Sequence, residues 1–125
     1  MFLDAPEYSP EGLSESDFDV SGMDDIIVPG NWQLQGYGKM HYSDLWYNFP
    51  INPPYVPTEN PTGIYKRTFY VEESFRGKQI ILRFCGVDSA YHLWINGQEV
   101  GYSKAARNES EFDITELVRI EIGRA

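Results

Sequence analysis

The sequence has a single cysteine, Cys85, in 125 residues. An intramolecular disulfide and any zinc site built on several cysteines are thereby excluded. No apolar run approaches the ~18 residues that a membrane-spanning helix needs. Met1-Phe2-Leu3-Asp4 has neither the basic start nor the apolar stretch of a secretory leader. A cytoplasmic location is therefore expected. No proline follows Pro61, no Lys or Arg precedes Lys39, and no helical period is sustained anywhere. A (β/α)₈ barrel is also out of reach, since it takes about 250 residues.

What is present is acidic and aromatic. The net charge is −9 and 15% of residues are Phe, Trp or Tyr. Nucleic acid and anionic membrane surfaces are disfavoured as partners, because both require positive charge. Residues 1–38 hold eight acids and no base, whereas the remaining 87 residues hold eleven acids and ten bases. The excess charge thus belongs to the N-terminal stretch. Its acids lack the alternation and central glycine of an EF-hand loop. Residues 1–25 are expected to be loop-like, and residues 26–125 to form the folded domain.

Ile26-Ile27-Val28 is a short β-like run stopped by Pro29-Gly30. Residues 31–63 are rich in Gly, Pro and aromatics, the composition of an ordered loop that packs on itself and carries function. The rest alternates with the period of strands. Tyr65, Phe69 and Val71 share one face, as do Ile80, Leu82 and Phe84, and again Tyr91, Leu93 and Ile95. Asn96-Gly97 predicts a two-residue hairpin turn, because both positions tolerate positive φ. Residues 72–77 read as a short connection. Asp113 to Val118 fits one helical turn capped by Asp113. The class is all-β, and an antiparallel sandwich is its simplest architecture.

No catalytic constellation emerges from spacing. Glu59, Glu72, Glu73, Glu109, Glu111 and Asp113 are available carboxylates, but nothing selects a pair at glycosidase separation. Solvated or capping roles are expected for them. Cys85 lies in an apolar run and is expected to be a buried, inert thiol. His92 sits in a strand beside Trp94, where packing is expected, and His41 sits in the aromatic loop. Tyr42-Ser43-Asp44-Leu45-Trp46-Tyr47 combines rings with short polar side chains. Such a mixture stacks on pyranoses and bonds their hydroxyls, or else forms a satellite core under the loop.

Several phrases point further. Val28-Pro29-Gly30-Asn31-Trp32-Gln33, Gly36-Tyr37, Tyr42-Ser43-Asp44 and Asn52-Pro53-Pro54-Tyr55-Val56-Pro57-Thr58-Glu59-Asn60-Pro61-Thr62-Gly63 come in that order. Gly86-Val87-Asp88-Ser89-Ala90, Trp94-Ile95-Asn96-Gly97, Val100-Gly101-Tyr102-Ser103 and Glu111-Phe112-Asp113-Ile114 follow. Together they resemble the N-terminal domain of glycoside hydrolase family 2 β-galactosidases, over about residues 26–118.

The resemblance implies a jelly-roll β-sandwich of the galactose-binding-domain-like type, here without its terminal strands. It implies a parent enzyme that cleaves terminal β-D-galactosides with retention, using glutamates on a catalytic barrel that this chain lacks. The chain alone is then inactive, with no catalytic residue of its own. Its loop would reach the galactosyl subsite with Asp44, flanked by Leu45 and Trp46; capping its own turn is the other role open to Asp44. Partners would be the galactoside in the full enzyme, the parent's barrel and further copies in a homo-oligomer. Relatives often use magnesium and sodium. Lys104 stands where some have a magnesium-holding glutamine, and an aspartate-bearing Glu-Asp-Gln-Asp phrase is missing here. A Lys donates only and repels a cation, so no metal or other cofactor is expected. A self-standing carbohydrate-binding module and a purely architectural domain are the competing readings.

Overall fold

The computed structural model describes residues 2–4 (backbone), 11–38, 52–55 and 61–120. Among these the chain is all-β, and every ladder is antiparallel. The strands are β1 (Phe2–Asp4), β2 (Thr62–Ile64), β3 (Ile81–Phe84), β4 (Tyr91–Ile95), β5 (Gln98–Ser103) and β6 (Ser110–Asp113). They form three two-stranded ribbons, β1-β2, β3-β6 and β4-β5. The chain divides into two compact units. One comprises Met1–Glu11 with Asp19–Arg67, the other Gly12–Phe18 with Thr68–Ala125.

The second unit holds the core. Alternation sends Leu82 and Phe84 of β3 inward, and Arg83 outward. In β4 it sends Tyr91, Leu93 and Ile95 inward, with His92 and Trp94 outward. Both inward sets match the sequence pattern. Ile80, Ile95 and Ile114 are the buried centre, with Val71, Leu82, Leu93, Val100, Phe112, Leu117 and Val118 packed against it. The rings of Phe84, Tyr91 and Phe112 meet one another at 5.2–6.2 Å in tilted and edge-on geometry. Gly101 makes room for the Phe112 ring, since a Cβ there would stand 2.7 Å from its Cε1.

The Asn96-Gly97 turn forms as expected. Its φ values are 49° and 82°, and it closes the pair Ile95↔Gln98. Five residues of β4 face six of β5, so one residue of β5 is extra. Trp94 pairs with Glu99 and Leu93 with Gly101, which leaves Val100 as a bulge. Plain alternation would put Val100 and Tyr102 on one face. The bulge instead turns Val100 inward and leaves Tyr102 about half exposed.

The Asp113 turn also forms, as a hydrogen-bonded turn rather than a helix. The Asp113 carboxylate accepts from the Thr115 N–H at 3.0 Å and its hydroxyl at 2.6 Å. The Thr115 oxygen in turn accepts from the Ile80 N–H at 2.9 Å, so the cap also fastens the entry to β3.

Three expectations are corrected. Tyr65, Phe69 and Val71 do not lie on a strand. Val71 joins the core, while Tyr65 and Phe69 stay about half exposed. Alternation supplies two faces, but a ladder also needs a neighbouring edge, and this segment lies in no ladder. Ile26-Ile27-Val28 is likewise no strand, with Ile27 and Val28 exposed. Cys85 is exposed rather than buried. It follows Phe84 and so falls on the outward phase set by Ile80, Leu82 and Phe84.

Candidate functional site

The residues implicated in sugar contact, Asp44, Leu45 and Trp46, lie outside the described residues, as do His41 and Glu59. What the structure describes is the chain on either side of them. Trp32–Gln35 forms a 3₁₀ turn closed by Gly36 at φ 93°, where a side chain would be strained. The Gln35 amide accepts from the Ile27 N–H at 2.8 Å and donates to its carbonyl at 3.0 Å. One side chain thus does for Ile27 what a strand partner would do, which is why the β-like run needs no ladder. The Tyr37 hydroxyl donates to Asp24 at 2.7 Å. That bond holds the phenol pKa above its usual value, because ionisation would remove the donated proton.

The far side of the aromatic stretch is tied down by small residues. Asn52 and Tyr55 form a bridge around Pro53-Pro54. Gly63 of β2 lies against the indole of Trp32, where a Cβ would stand 2.2 Å from Cζ3. The Asn-Trp-Gln and Pro-Thr-Gly phrases are therefore spatial neighbours within the first unit. Nothing in their spacing along the chain encodes that contact.

The candidate carboxylates that the structure describes, Glu72, Glu73, Glu109, Glu111 and Asp113, are engaged in structure. Glu73 is bonded by Arg76, whose guanidinium holds its pKa below the ordinary value. Glu111 accepts from Arg83 Nε at 2.7 Å across the β3-β6 ribbon, with Glu109 3.9 Å from the same guanidinium. Asp113 is held low by the Gln79 amide and then by Thr115. Glu72 accepts from the Ser74 hydroxyl at 3.3 Å. A glycosidase acid needs a raised pKa, whereas Glu73 and Asp113 move the other way. An open groove beside Gln79, Asp113, Thr115 and Leu117 presents polar groups already bonded to one another.

A second aromatic group was only half legible. The outward rings of β4 and β5 stack in the order Trp94, His92, Tyr102, at 5.5 and 4.6 Å between centroids. His92 Nδ1 lies 3.0 Å from Glu99. His92 packs, as expected, but on the solvent side. Tyr102 joins it because of the bulge. Among the described residues no cluster of three His, Cys, Asp or Glu could hold a metal ion, and Lys104 is exposed just past β5. No helix among them is long and apolar enough to cross a membrane.

Comparison with known proteins gives the lineage. The chain is 47% identical over 119 residues to a β-galactosidase of Alteromonas mediterranea, covering 93% of this chain and 11% of that protein. It is 46% identical over 110 residues to a β-galactosidase of Psychromonas ingrahamii, covering 88% and 11%. A Vibrio vulnificus β-galactosidase is 48% identical over 114 residues, covering 90% and 11%. The chain thus spans about a ninth of the length of these relatives. Among solved structures, a Bacteroides uniformis β-glucuronidase 2, covalently bound to cyclophellitol-6-carboxylate aziridine, superposes with a TM-score of 0.63 at 19% identity. That match covers 96% of this chain and 13% of the other, and it shows likeness of fold. The family model for the sugar-binding domain of glycosyl hydrolases family 2 matches residues 1–124, and the chain belongs to that family.

Proposed function

We propose that this chain is the non-catalytic N-terminal sugar-binding domain of a β-galactosidase, lending a loop to the galactosyl subsite. The observation that carries the reading is the pairing of 46–48% identity to β-galactosidases with a span of only 11% of their length. A chain this short has no room for a catalytic barrel. The glutamates of a retaining mechanism then belong to the rest of the parent, which is this domain's principal partner. Asp44 would accept hydrogen bonds from two galactosyl hydroxyls, and such charge-assisted bonds are the stronger kind. Leu45 and Trp46 would supply an apolar wall beside it. Lys104, a donor without acceptor capacity, makes this region unsuited to a magnesium ion.

The test uses the parent enzyme that contains this domain. Asp44→Ala should lower kcat/KM for a chromogenic β-galactoside by at least about 10-fold. This follows from roughly 1.5–3 kcal/mol per hydrogen bond to a charged group and ~1.4 kcal/mol per decade. Asp44→Asn, which keeps one acceptor, should lose less. Unchanged kinetics in Asp44→Ala would remove the loop from the subsite. The isolated chain should show no turnover. Galactose-induced NMR shifts at Asp44 and Trp46 in the isolated chain would favour a self-standing binding module instead.

A further inference from the structure

Within the first unit, the aromatic stretch is rooted at both ends by contacts that are on view. At its start the Trp32–Gln35 turn is closed by Gly36, and the Trp32 carbonyl accepts from the Tyr37 N–H at 3.1 Å. The Tyr37 hydroxyl fastens this first root to Asp24 at 2.7 Å. At the other end Gly63 stands in the middle of β2, paired with Leu3 of β1. The half-buried side chain of Trp32 reaches from the first root to the second. A Cβ on Gly63 would stand 2.2 Å from Cζ3 and 2.7 Å from Cε3 of the indole, and 3.3 Å from Cε2 of Tyr65. Gly63 does not have a positive φ, so room for the ring is what this glycine supplies. The indole rests on bare backbone, closer than any side chain at 63 allows.

We propose that Trp32 and Gly63 are positioning residues for the proposed galactosyl contact: the indole seated on the glycine sets the separation of the two roots, and with it where Asp44 is presented. The inference rests on the reading of Asp44 given above. Asp44 follows Tyr37 by seven residues and precedes Gly63 by nineteen, so it lies between the two roots along the chain. A connection whose ends are held together samples fewer conformations than one whose ends drift. Its central residues also inherit any displacement of those ends.

The elements that meet in this contact suit such a role. Binding groups are held most accurately when their support comes from packed, regular structure, and here that support is a strand in a ladder and a hydrogen-bonded turn. The contact is also sensitive to a single methyl. A side chain at 63 must retreat from 2.2 Å to the 3.4 Å or more of ordinary contact. The roots then part by roughly 1 Å, and a misplacement of that size at a reacting geometry can cost about 100-fold.

The parent enzyme that contains this domain tests it. The readout is kcat/KM for a chromogenic β-galactoside per active site, with sites counted by a covalent galactoside inactivator so that unfolded enzyme does not enter. Gly63→Ala should lower kcat/KM by about 3- to 10-fold, and by no more than Asp44→Ala does. In an Asp44→Ala background the same change should cost less than about 2-fold, because the group it displaces is already gone. Trp32→Phe withdraws the far ring of the indole, so Gly63→Ala/Trp32→Phe should recover severalfold over Gly63→Ala. Should Gly63→Ala fail to fold, Trp32→Ala read in the same two backgrounds decides. Unchanged kinetics in Asp44→Ala would sink the sugar-contact reading and this inference with it. An impaired Asp44→Ala beside an unimpaired Gly63→Ala, or a Gly63→Ala loss of equal size in both backgrounds, would overturn the positioning role alone.

Discussion

Replacing Ile114 by Ala probes the core most directly. Ile114 is 1% exposed, and its N–H donates to the Ile80 carbonyl at 3.0 Å. Its own carbonyl accepts from Leu117 and Val118. These backbone bonds survive the substitution, so the loss is one of packing. Three carbons are removed, worth about 2.4 kcal/mol at ~0.8 kcal/mol each. The cavity left behind raises this to about 3–4 kcal/mol, within the usual span for such truncations. Ile114→Val removes one carbon and should cost about 1 kcal/mol. Ile81 supplies the control, being 44% exposed on the outward face of β3. Ile81→Ala should cost well under half as much as Ile114→Ala. With a urea m-value of roughly 1–3 kcal/mol/M, the Ile114→Ala midpoint should fall by about 1–4 M. Tryptophan fluorescence during urea unfolding reads this directly. Equal midpoint losses for Ile81→Ala and Ile114→Ala would refute the placement of the core, as would a loss below ~1 kcal/mol for Ile114→Ala.

Two further outcomes follow from single contacts. Gly63→Ala drives a methyl into the Trp32 indole, at 2.2 Å from Cζ3 and 2.7 Å from Cε3; a stability loss of about 1–3 kcal/mol is expected. A displaced Trp32 indole N–H resonance should accompany it, and an unmoved resonance would disprove the contact. In acid, Asp19, Glu73 and Asp113 act in one direction, since hydrogen bonds hold each folded pKa below its unfolded value. The stability they supply is complete above the unfolded carboxylate pKa of about 4 and drains away as pH falls through the lower folded values. Asp113→Asn should therefore flatten the urea midpoint between about pH 5 and pH 2, and an unaltered slope would count against the Gln79–Asp113–Thr115 bonds.

Much of the second unit was legible because its residues act locally. Period-two alternation located the inward faces of β3 and β4, and Asn96-Gly97 located the turn between β4 and β5. Asp113 announced its cap, since the Thr115 N–H it bonds lies two residues on. The failures share a cause as well. The fate of Tyr65, Phe69 and Val71 depends on a neighbouring edge, which no local pattern encodes. Tyr102 changes face through one extra residue, Val100, that nothing in the alternation marks. The Gln35 clamp on Ile27 spans eight residues, and the Trp32–Gly63 contact spans thirty-one. Cys85 was misread for a different reason. An apolar run suggests burial on both faces, whereas a strand of a two-stranded ribbon hides only one.

The motif phrases carry two kinds of information that the structure separates. Some of their residues answer to the backbone. Gly36 supplies a positive φ, Gly63 admits an indole, and Asn96-Gly97 turns a hairpin. Others are spent on bonds within the fold, as Asp113 and Tyr37 are. Glu73, Glu111 and Asp113 are held by Arg76, Arg83 and Gln79 respectively. The physical division is thus between acids fixed into the scaffold and one acid proposed for the substrate. Exchanging those two populations by mutation should not be symmetrical. Losing Glu111 or Asp113 should shift unfolding midpoints and spare kcat/KM in the parent, whereas losing Asp44 should do the reverse.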